Sequence, residues 1–276
     1  MTGAVRSELA PRPRLGIMKM ASCDGCQLTL LDLEDHLLDV LARFELVEFA
    51  EASDHRSSGP YDIVLVEGSV STPEQAEDIV RIRRQTPLLV TIGACATAGG
   101  IQALRNWADH DAYRAAVYPH PEYVESLATA TPISDFVAVD AELRGCPIDP
   151  GQLLELLTAL VVGRRPQLPD EAVCLECKRR GIVCVLVTGA GPCLGPVTHT
   201  GCGALCPAFA RGCYGCFGPK ERANATSLAH WFGRDGRSDA DTARLFSGFT
   251  AYAQPFRDVI DSLGGPPVAT KPGEDD

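Results

Sequence analysis

The hydrophobic positions in the first half of the chain alternate between two kinds of segment. Short continuous apolar runs, such as "YDIVLVEGSV" and "PLLVTIGAC", are typical of strands that are buried on both faces. Between them, apolar residues recur at helical spacing, as in "DGCQLTLLDLEDHLLDVLARF" with Leu30, Leu33 and Leu37. The segment "TPEQAEDIVRIRRQ" opens with a threonine cap followed by proline, which predicts a helix start. This alternation predicts a parallel sheet with helices on both faces.

The pattern predicts two domains and a tail. Residues 15–165 are predicted to form an α/β domain, a flavodoxin-like doubly wound parallel sheet. The Pro-rich, charged segment "GRRPQLPDEAV" then predicts a linker. Residues 166–262 begin with a Cys-rich stretch of low periodicity, which predicts a mostly irregular domain that bound metal would stabilise. Residues 263–276 have the composition of a disordered tail.

Charge and cysteine usage exclude several classes of function. The 276 residues carry a net charge of −11, which argues against nucleic-acid binding because that needs a basic face. No apolar run reaches the roughly 18 residues of a membrane span, and the start has no apolar signal-peptide region. We therefore expect a cytoplasmic protein without a membrane anchor. Thiols stay reduced there, so the twelve cysteines are interpreted as metal ligands rather than disulfides.

Four cysteines fall where predicted strands end and helices begin. They are Cys23, Cys26, Cys95 and Cys146. The carboxyl edge of a parallel sheet is its ligand crevice, and helix N-termini add partial positive charge there. Four thiolates from three loops are the ligands that a [4Fe–4S] cluster needs. Cys23 and Cys26 alone would also fit a thioredoxin-like redox pair, but that leaves the other two cysteines unexplained.

The other eight cysteines lie between residues 174 and 216. In chain order they form two sets of four, namely Cys174, Cys177, Cys184 and Cys193, then Cys202, Cys206, Cys213 and Cys216. Zinc also accepts four thiolates, so a zinc-stabilised interaction scaffold is an alternative. Three sets of four account for every cysteine, and neighbouring Gly and Pro suit amides that approach cluster sulfurs, which favours iron–sulfur. The spacing leaves the division into two sites open. Three clusters without a substrate motif predict electron transfer.

Seven ordered motifs carry a resemblance to a known family. They are "SCDGCQL", "VEGSVST", "TIGACATAGG", "GCPI", "CLECKRRG", "GPCLGPVTHTGC" and "RGCYGCFGP". Over roughly residues 15–220 the chain resembles the small subunit of [NiFe]-hydrogenases. It is most similar to the cytoplasmic three-cluster branch, such as the delta subunit of NAD(P)-linked hydrogenases, also called sulfhydrogenases.

The resemblance implies a cluster for each set of cysteines. The first-half set matches the proximal [4Fe–4S] cluster, the set beginning at Cys174 matches the distal cluster, and Cys202, Cys213 and Cys216 match medial-cluster ligands. Cys206 fits as the fourth medial ligand, which implies a third [4Fe–4S] cluster. The family places its catalytic NiFe(CN)2CO centre in a partner large subunit, so no catalytic residues are expected here.

The resemblance also implies further partners. FAD and NAD(P) are expected on a flavin- and NAD(P)-binding partner subunit, because this chain has no convincing phosphate-binding loop. Additional iron–sulfur subunits are expected as further partners. A heterodisulfide reductase or a deazaflavin-linked complex is the alternative acceptor.

For three further residues or groups of residues, the sequence leaves more than one interpretation open. Glu67, at a predicted strand end, either relays protons or makes hydrogen bonds near the proximal cluster or the subunit interface, or is a plain polar residue. His199 is either a ligand or relay, or a loop histidine. The basic run Lys178, Arg179 and Arg180 either docks an acidic electron-transfer partner near the distal cluster, or tunes the potential of that cluster, or is a solvated turn.

Overall fold

A parallel sheet organises the first half of the molecule. The computed structural model describes residues 11–266 and 268, apart from the side chains of Asp35, Val40 and Leu41. Within that part of the chain, five parallel strands pair in the order β2-β1-β3-β4-β5. The strands are β1 Arg14–Lys19, β2 Glu45–Phe49, β3 Ile63–Glu67, β4 Leu88–Ile92 and β5 Ala141–Leu143. This is the flavodoxin-like order, so the predicted fold class is confirmed.

Helices follow every one of these strands except β2, and further helices continue beyond them. They are α1 Gly25–Leu31, α2 Asp35–Arg43, α3 Pro73–Arg84, α4 Gly93–Ala98, α5 His110–Val117, α6 Pro150–Val161, α7 Val173–Arg179, α8 Leu205–Ala208, α9 Ala225–Arg234, α10 Asp239–Phe246 and α11 Gln254–Ser262. Short 3-10 turns occupy Ile101–Trp107, Pro121–Tyr123 and Ile133–Asp135.

Two helix starts illustrate how the sequence dictates local structure. The hydroxyl of Thr72 accepts a hydrogen bond from the amide of Gln75, and the Gln75 side chain accepts one from the amide of Thr72. This reciprocal cap confirms the predicted start of α3. In contrast, the leucine-rich segment after β1 is two helices rather than one. Glu34 adopts a positive φ of 51°, which interrupts the helix between α1 and α2.

The sheet buries an apolar layer on each face. On β3, Ile63 and Leu65 pack with α1, α2 and α6, whereas Val64 and Val66 pack with α3 and α4. All five residues of β3 are buried, as expected for a central parallel strand covered on both sides. The layers hold the carboxyl ends of β1, β3, β4 and β5 side by side.

The second half has more apolar core than its sequence predicts. Leu194 and Val197 of the Cys-rich stretch pack with helices α9, α10 and α11, around Phe232, Phe246 and Phe256. The three helices after Cys216 thus supply apolar faces that the Cys-rich stretch lacks. Beyond β4, the strand β5 lies just after the apolar run "FVAVD" rather than within it.

Several predictions lie partly outside the described residues. Most of the predicted disordered tail, residues 263–276, lies outside the described residues. The boundaries of the two predicted domains stay predictions. Among the residues that are described, the helices are all too short or too polar to cross a membrane.

Replacing Leu65 tests the central role of β3. Leu65 is fully buried, so Leu65→Ala should lower the free energy of unfolding by about 2–5 kcal/mol through lost contacts and a residual cavity. Leu38→Ala is the control, since Leu38 is 71% exposed. Urea unfolding at matched iron content measures both; similar losses in the two variants would contradict the packing described.

Candidate metal centre

The four cysteines of the first half lie at the carboxyl edge of the sheet. Cys23 is exposed in the loop after β1, and Cys26 is buried in the first turn of α1. Cys95 lies in α4, directly after β4, and Cys146 follows β5 in the turn before α6. The strand ends therefore deliver all four thiols to the predicted edge. All twelve cysteines of the chain are free of disulfides.

Electrostatic coupling indicates that these four thiols are neighbours. Burial raises the pKa of Cys26, and the charges of Glu67, Cys95 and Cys146 raise it further. Burial also raises the pKa of Cys95 to about 11, and Cys146 and Cys23 add to that shift. Such groups resist ionisation together unless a cation compensates their charge. The first-half set is thus brought together as a possible ligand set.

Glu67 holds the turn that carries Cys26. This side chain lies at the end of β3 and is only 1% exposed. Its two carboxylate oxygens accept hydrogen bonds from the amides of Cys26 and Gln27, each at 3.2 Å. Burial raises the pKa of Glu67, whereas these amide donors act in the opposite direction. The structure thus gives Glu67 a specific capping contact at the start of α1; a proton-relay role stays a hypothesis.

Two glycines let the backbone approach the sulfurs closely. Gly93 has φ +85°, and a Cβ there would lie 2.4 Å from Cys26 Sγ. Gly100 has φ +68°, and a Cβ there would lie 2.5 Å from Cys95 Sγ. Any side chain at either position would be strained and would collide with a thiol. Glycine is therefore required at both positions.

The cysteines from residue 174 onward begin on α7. Cys174 and Cys177 lie on α7, Cys184 follows in an exposed loop, and Cys193 is buried. A Cβ on Gly195 would lie 3.2 Å from Cys193 Sγ and 3.7 Å from Cys174 Sγ, so these two sulfurs flank one point. Burial raises the pKa of Cys174 to about 11, with the charges of Cys193, Cys177 and Cys184 adding to it. The four thiols form an electrostatically coupled group.

The last four cysteines surround α8. Cys206 is in this short helix, Cys202 precedes it, and Cys213 and Cys216 follow it. Burial, together with the charges of Cys202, Cys146 and Cys206, raises the pKa of Cys216 to about 12. Cys146 belongs to the first-half set, so the two regions meet at this point.

The two later sets also adjoin each other. Cys193 Sγ accepts a hydrogen bond from the amide of Cys213 at 3.1 Å and one from the amide of Gly195 at 3.4 Å. After burial and these amide bonds, the charges of Cys184 and Cys206 affect the pKa of Cys193. Because thiols of both sets lie around Cys193, the division into distal and medial ligands stays a prediction.

The donor set has the chemistry of an iron–sulfur site. Among the described residues, no three Cys, His, Asp or Glu side chains are arranged to hold a single metal ion. A [4Fe–4S] cluster binds one thiolate at each iron, so its four ligands surround the group and need not meet at one ion. Amide N–H groups directed at the sulfurs are the expected outer contacts of such a group. Because burial raises the pKa of these thiols, binding must release their protons.

Two contact residues near the thiols have no motif signal of their own. Gln102 donates a hydrogen bond to the carbonyl of Ala21 at 2.7 Å and lies 3.5 Å from Cys95 Sγ. Glu176, within "CLEC", accepts hydrogen bonds from the loop that carries Cys202. Position between two ligand cysteines was the only sequence signal for Glu176.

The remaining candidates make contacts within the chain. Arg179 forms an ion pair with Glu171 at 3.1 Å, and Arg180 donates a hydrogen bond to the carbonyl of Gly203. These two arginines are thus partly engaged in the fold rather than simply solvated. His199 Nδ1 lies 2.6 Å from the carbonyl of Thr200, and burial lowers its pKa, as befits a loop histidine. Its imidazole is held by the backbone, whatever further role it has.

The fold and the site together define a class of protein. A flavodoxin-like parallel sheet carries four neighbouring thiols at its carboxyl edge, and a second thiol-rich region lies directly beside it. This combination is typical of iron–sulfur subunits of oxidoreductase complexes rather than of enzymes that bind a substrate themselves.

Sequence comparison leads from the class to the family. Residues 23–160 match the family described as "NADH ubiquinone oxidoreductase, 20 Kd subunit". The chain is 39% identical over 216 residues to "Sulfhydrogenase 2 subunit delta" of Pyrococcus furiosus, covering 78% of this chain and 90% of that protein. It is 30% identical over 280 residues to a subunit of the vhu F420-non-reducing hydrogenase of Methanococcus voltae, covering 89% of this chain and 97% of that protein.

Solved structures agree with this assignment. A chain of an NAD+-reducing [NiFe]-hydrogenase in the H2-reduced state matches with a TM-score of 0.53 and 29% identity, over 57% of this chain and 96% of that one. A [NiFeSe] hydrogenase from Desulfovibrio vulgaris Hildenborough matches in fold, with a TM-score of 0.52 and 18% identity, over 76% of this chain and 94% of that one. The chain belongs to the 20 Kd subunit family, as the small subunit of a hydrogenase, and the resemblance of its motifs is confirmed.

Gly93 provides a test of the first-half site. Gly93→Ala would place a methyl group against Cys26 Sγ, so we expect a lower amount of iron bound per chain. Gly236→Ala is the matched control, because Gly236 has φ +90° but no atom within 4 Å of the added methyl. Iron analysis of the two purified variants measures the difference. Equal iron loss would mean that backbone strain, not contact with the thiol, is responsible.

Proposed function

We propose that this hydrogenase subunit relays electrons through three [4Fe–4S] clusters. The clusters connect the nickel–iron centre of a partner large subunit with a flavin subunit that exchanges electrons with NAD(P). The proximal ligands are Cys23, Cys26, Cys95 and Cys146, the medial ligands are Cys202, Cys206, Cys213 and Cys216, and the distal ligands are Cys174, Cys177, Cys184 and Cys193. The complex is proposed to work in the cytoplasm, with additional iron–sulfur subunits.

One observation carries this proposal: neighbouring thiol sets adjoin each other in series. Cys146 of the first set lies within electrostatic reach of Cys216, and Cys213 donates its amide hydrogen to Cys193. Electron transfer through a protein needs such short steps, whereas three separate structural sites do not. The contacts support the order proximal, medial, distal.

The protein's own contribution is positioning and shielding. When bound, the clusters supply one-electron chemistry. Cys26, Cys193 and Cys213 are buried, which excludes water from the sulfurs and favours one stable geometry. Amides donate to Cys193 and Cys213, which partly offsets the concentrated negative charge. In this proposal the partner large subunit performs the catalytic bond-making, and the residues of this chain have no catalytic role.

Exposed apolar side chains support a partner at each end of the chain of sites. Leu28 and Ile101 are 46% and 53% exposed beside the proximal set, one in α1 and one just after Gly100. Val183 and Val187 are exposed on either side of Cys184. Such exposed groups suit protein contacts. We assign the first pair to the large subunit and the second pair to the electron acceptor side.

Relatives differ in the acceptors that their names mention. One is the "NAD-reducing hydrogenase HoxS subunit delta" of Cupriavidus necator, at 28% identity. Another is the gamma chain of the coenzyme F420 hydrogenase of Methanococcus voltae, at 32% identity over 54% of this chain. NAD(P) is our proposal, and a deazaflavin or heterodisulfide reductase acceptor is the alternative. H2-dependent reduction of NAD+, NADP+ and coenzyme F420 by the purified complex distinguishes them.

Metal analysis tests the number and kind of sites. Three four-iron clusters require about twelve irons and twelve sulfides per chain, with a brown visible spectrum. Co-purification of a nickel-containing large subunit is also expected. Stoichiometric zinc without colour would instead favour the interaction scaffold and refute the relay.

A cysteine substitution tests the fourth medial ligand. Cys206→Ala should convert the medial cluster to a three-iron form, because one iron loses its thiolate. Electron paramagnetic resonance of the oxidised complex would show the new three-iron signal. Leu205→Ala, at an exposed position of the same helix, is the control and should leave the signal unchanged. An unchanged spectrum in Cys206→Ala would exclude Cys206 as a ligand.

A further inference from the structure

Glu176 connects the two thiol sets of the second half. It lies on α7 between Cys174 and Cys177, yet its side chain reaches the loop that carries Cys202. Oε1 accepts hydrogen bonds from the amides of Gly201 at 3.0 Å and Gly203 at 3.2 Å. Oε2 accepts one from the amide of Ala204 at 2.9 Å, and Cys202 Sγ lies 3.9 Å from it. One carboxylate therefore contacts Cys202 itself and the residues on both sides of it.

The loop geometry explains why an anion is needed there. Gly201, Gly203 and Ala204 have φ values of +141°, +62° and +53°. The amides of all three residues are directed at the Glu176 carboxylate, so this turn forms a concave binding site for an anion. Ala204 is not a glycine and is completely buried, so its positive φ must be stabilised by its surroundings. The carboxylate of Glu176 occupies this concave site.

A second residue next to α7 also binds the loop that carries Cys202. Arg180, which follows α7 directly, donates a hydrogen bond to the carbonyl of Gly203. The amide of Gly203 is bound by Glu176 and its carbonyl by Arg180. Residues in and directly after α7 thus hold the loop through both the amide and the carbonyl of Gly203. Movement of α7 would move Cys202.

The charge of Glu176 is shared between two ligand sets. The carboxylate is in contact with Cys202. Burial and neighbouring thiols raise the pKa of Cys177, the next residue on α7, and the charge of Glu176 adds to that rise. A fixed negative charge makes the addition of an electron nearby less favourable. A carboxylate between two clusters would lower the reduction potentials of both.

We infer that Glu176 is a positioning residue that holds the Cys202 loop on α7 and lowers the reduction potentials of the medial and distal clusters together. The inference rests on the proposed function, because it needs clusters at both sets. It goes beyond that function by assigning one side chain to the matching of two consecutive sites in the relay.

Two variants separate positioning from charge. Glu176→Ala removes the carboxylate that accepts hydrogen bonds from the amides of Gly201, Gly203 and Ala204. Amide hydrogen exchange in residues 201–204 should therefore become at least about tenfold faster. Glu176→Gln keeps one oxygen acceptor but removes the charge, so both midpoint potentials should shift to more positive values. Glu171→Gln is the control, since it removes an exposed carboxylate of the same region that is paired with Arg179. It should change neither quantity.

The measurements are made on the purified complex without oxygen. Hydrogen exchange followed by mass spectrometry reports the loop, and redox titration followed by electron paramagnetic resonance reports both clusters. Unchanged exchange in Glu176→Ala would overturn the positioning role. A shift of only one cluster, or of neither, in Glu176→Gln would overturn the shared tuning, as would an equal shift in Glu171→Gln.

The wild-type complex separates this inference from the proposed function. If its spectra contain medial and distal signals and about twelve irons, the relay stands and the variants decide the role of Glu176. If the wild-type complex has no such signals, the relay itself is wrong, whereas the exchange measurement still reports whether Glu176 holds the loop.

Discussion

The concentration of thiols, one or more of them buried in each half of the molecule, is the constraint on which the rest of the structure depends. Burial raises the pKa of cysteines in all three sets, and neighbouring sulfurs add to the shift. A chain that must bind thiolates in such places needs compensating charge from bound metal and donors from the backbone. This need is met by glycines that lie next to the sulfurs, by amide N–H groups directed at the sulfurs and by tight turns after the strands. The apolar layers around β3 and the three phenylalanines of the second core keep these turns in place.

Two buried or half-buried carboxylates have parallel roles in this arrangement. Glu67 accepts the amides at the start of α1, beside Cys26, and Glu176 accepts the amides around Cys202. Each comes from a different element than the cysteine it supports. Each therefore fixes a cysteine-bearing turn through a tertiary contact rather than through its neighbours in sequence. Hydrogen bonds from several amides to one carboxylate are among the stronger polar contacts in proteins, which suits sites that must not rearrange.

The outcome for individual elements shows where sequence reasoning was sufficient. The buried strand β3 and the capped start of α3 follow from local patterns, since apolar runs and cap residues act over a few positions. The break at Glu34 was missed because its leucine spacing continues through it, while the backbone takes a positive φ there. The core around Phe232 was also missed. Its helices are short and amphipathic, and their apolar faces gain meaning only when they pack on Leu194 and Val197.

By itself, the sequence determined the parallel α/β fold, the cysteines at strand ends and the family, because periodicity, strand-end position and ordered motifs are written in consecutive residues. Only the tertiary structure decided which groups lie near one another across the chain: Cys146 within electrostatic reach of Cys216, the Cys213 amide against Cys193, and Glu176 around Cys202. These contacts join segments from 20 to 70 residues apart along the chain. Spacing carries no information about such proximity, since it depends on how the loops pack once the sheet has placed their ends.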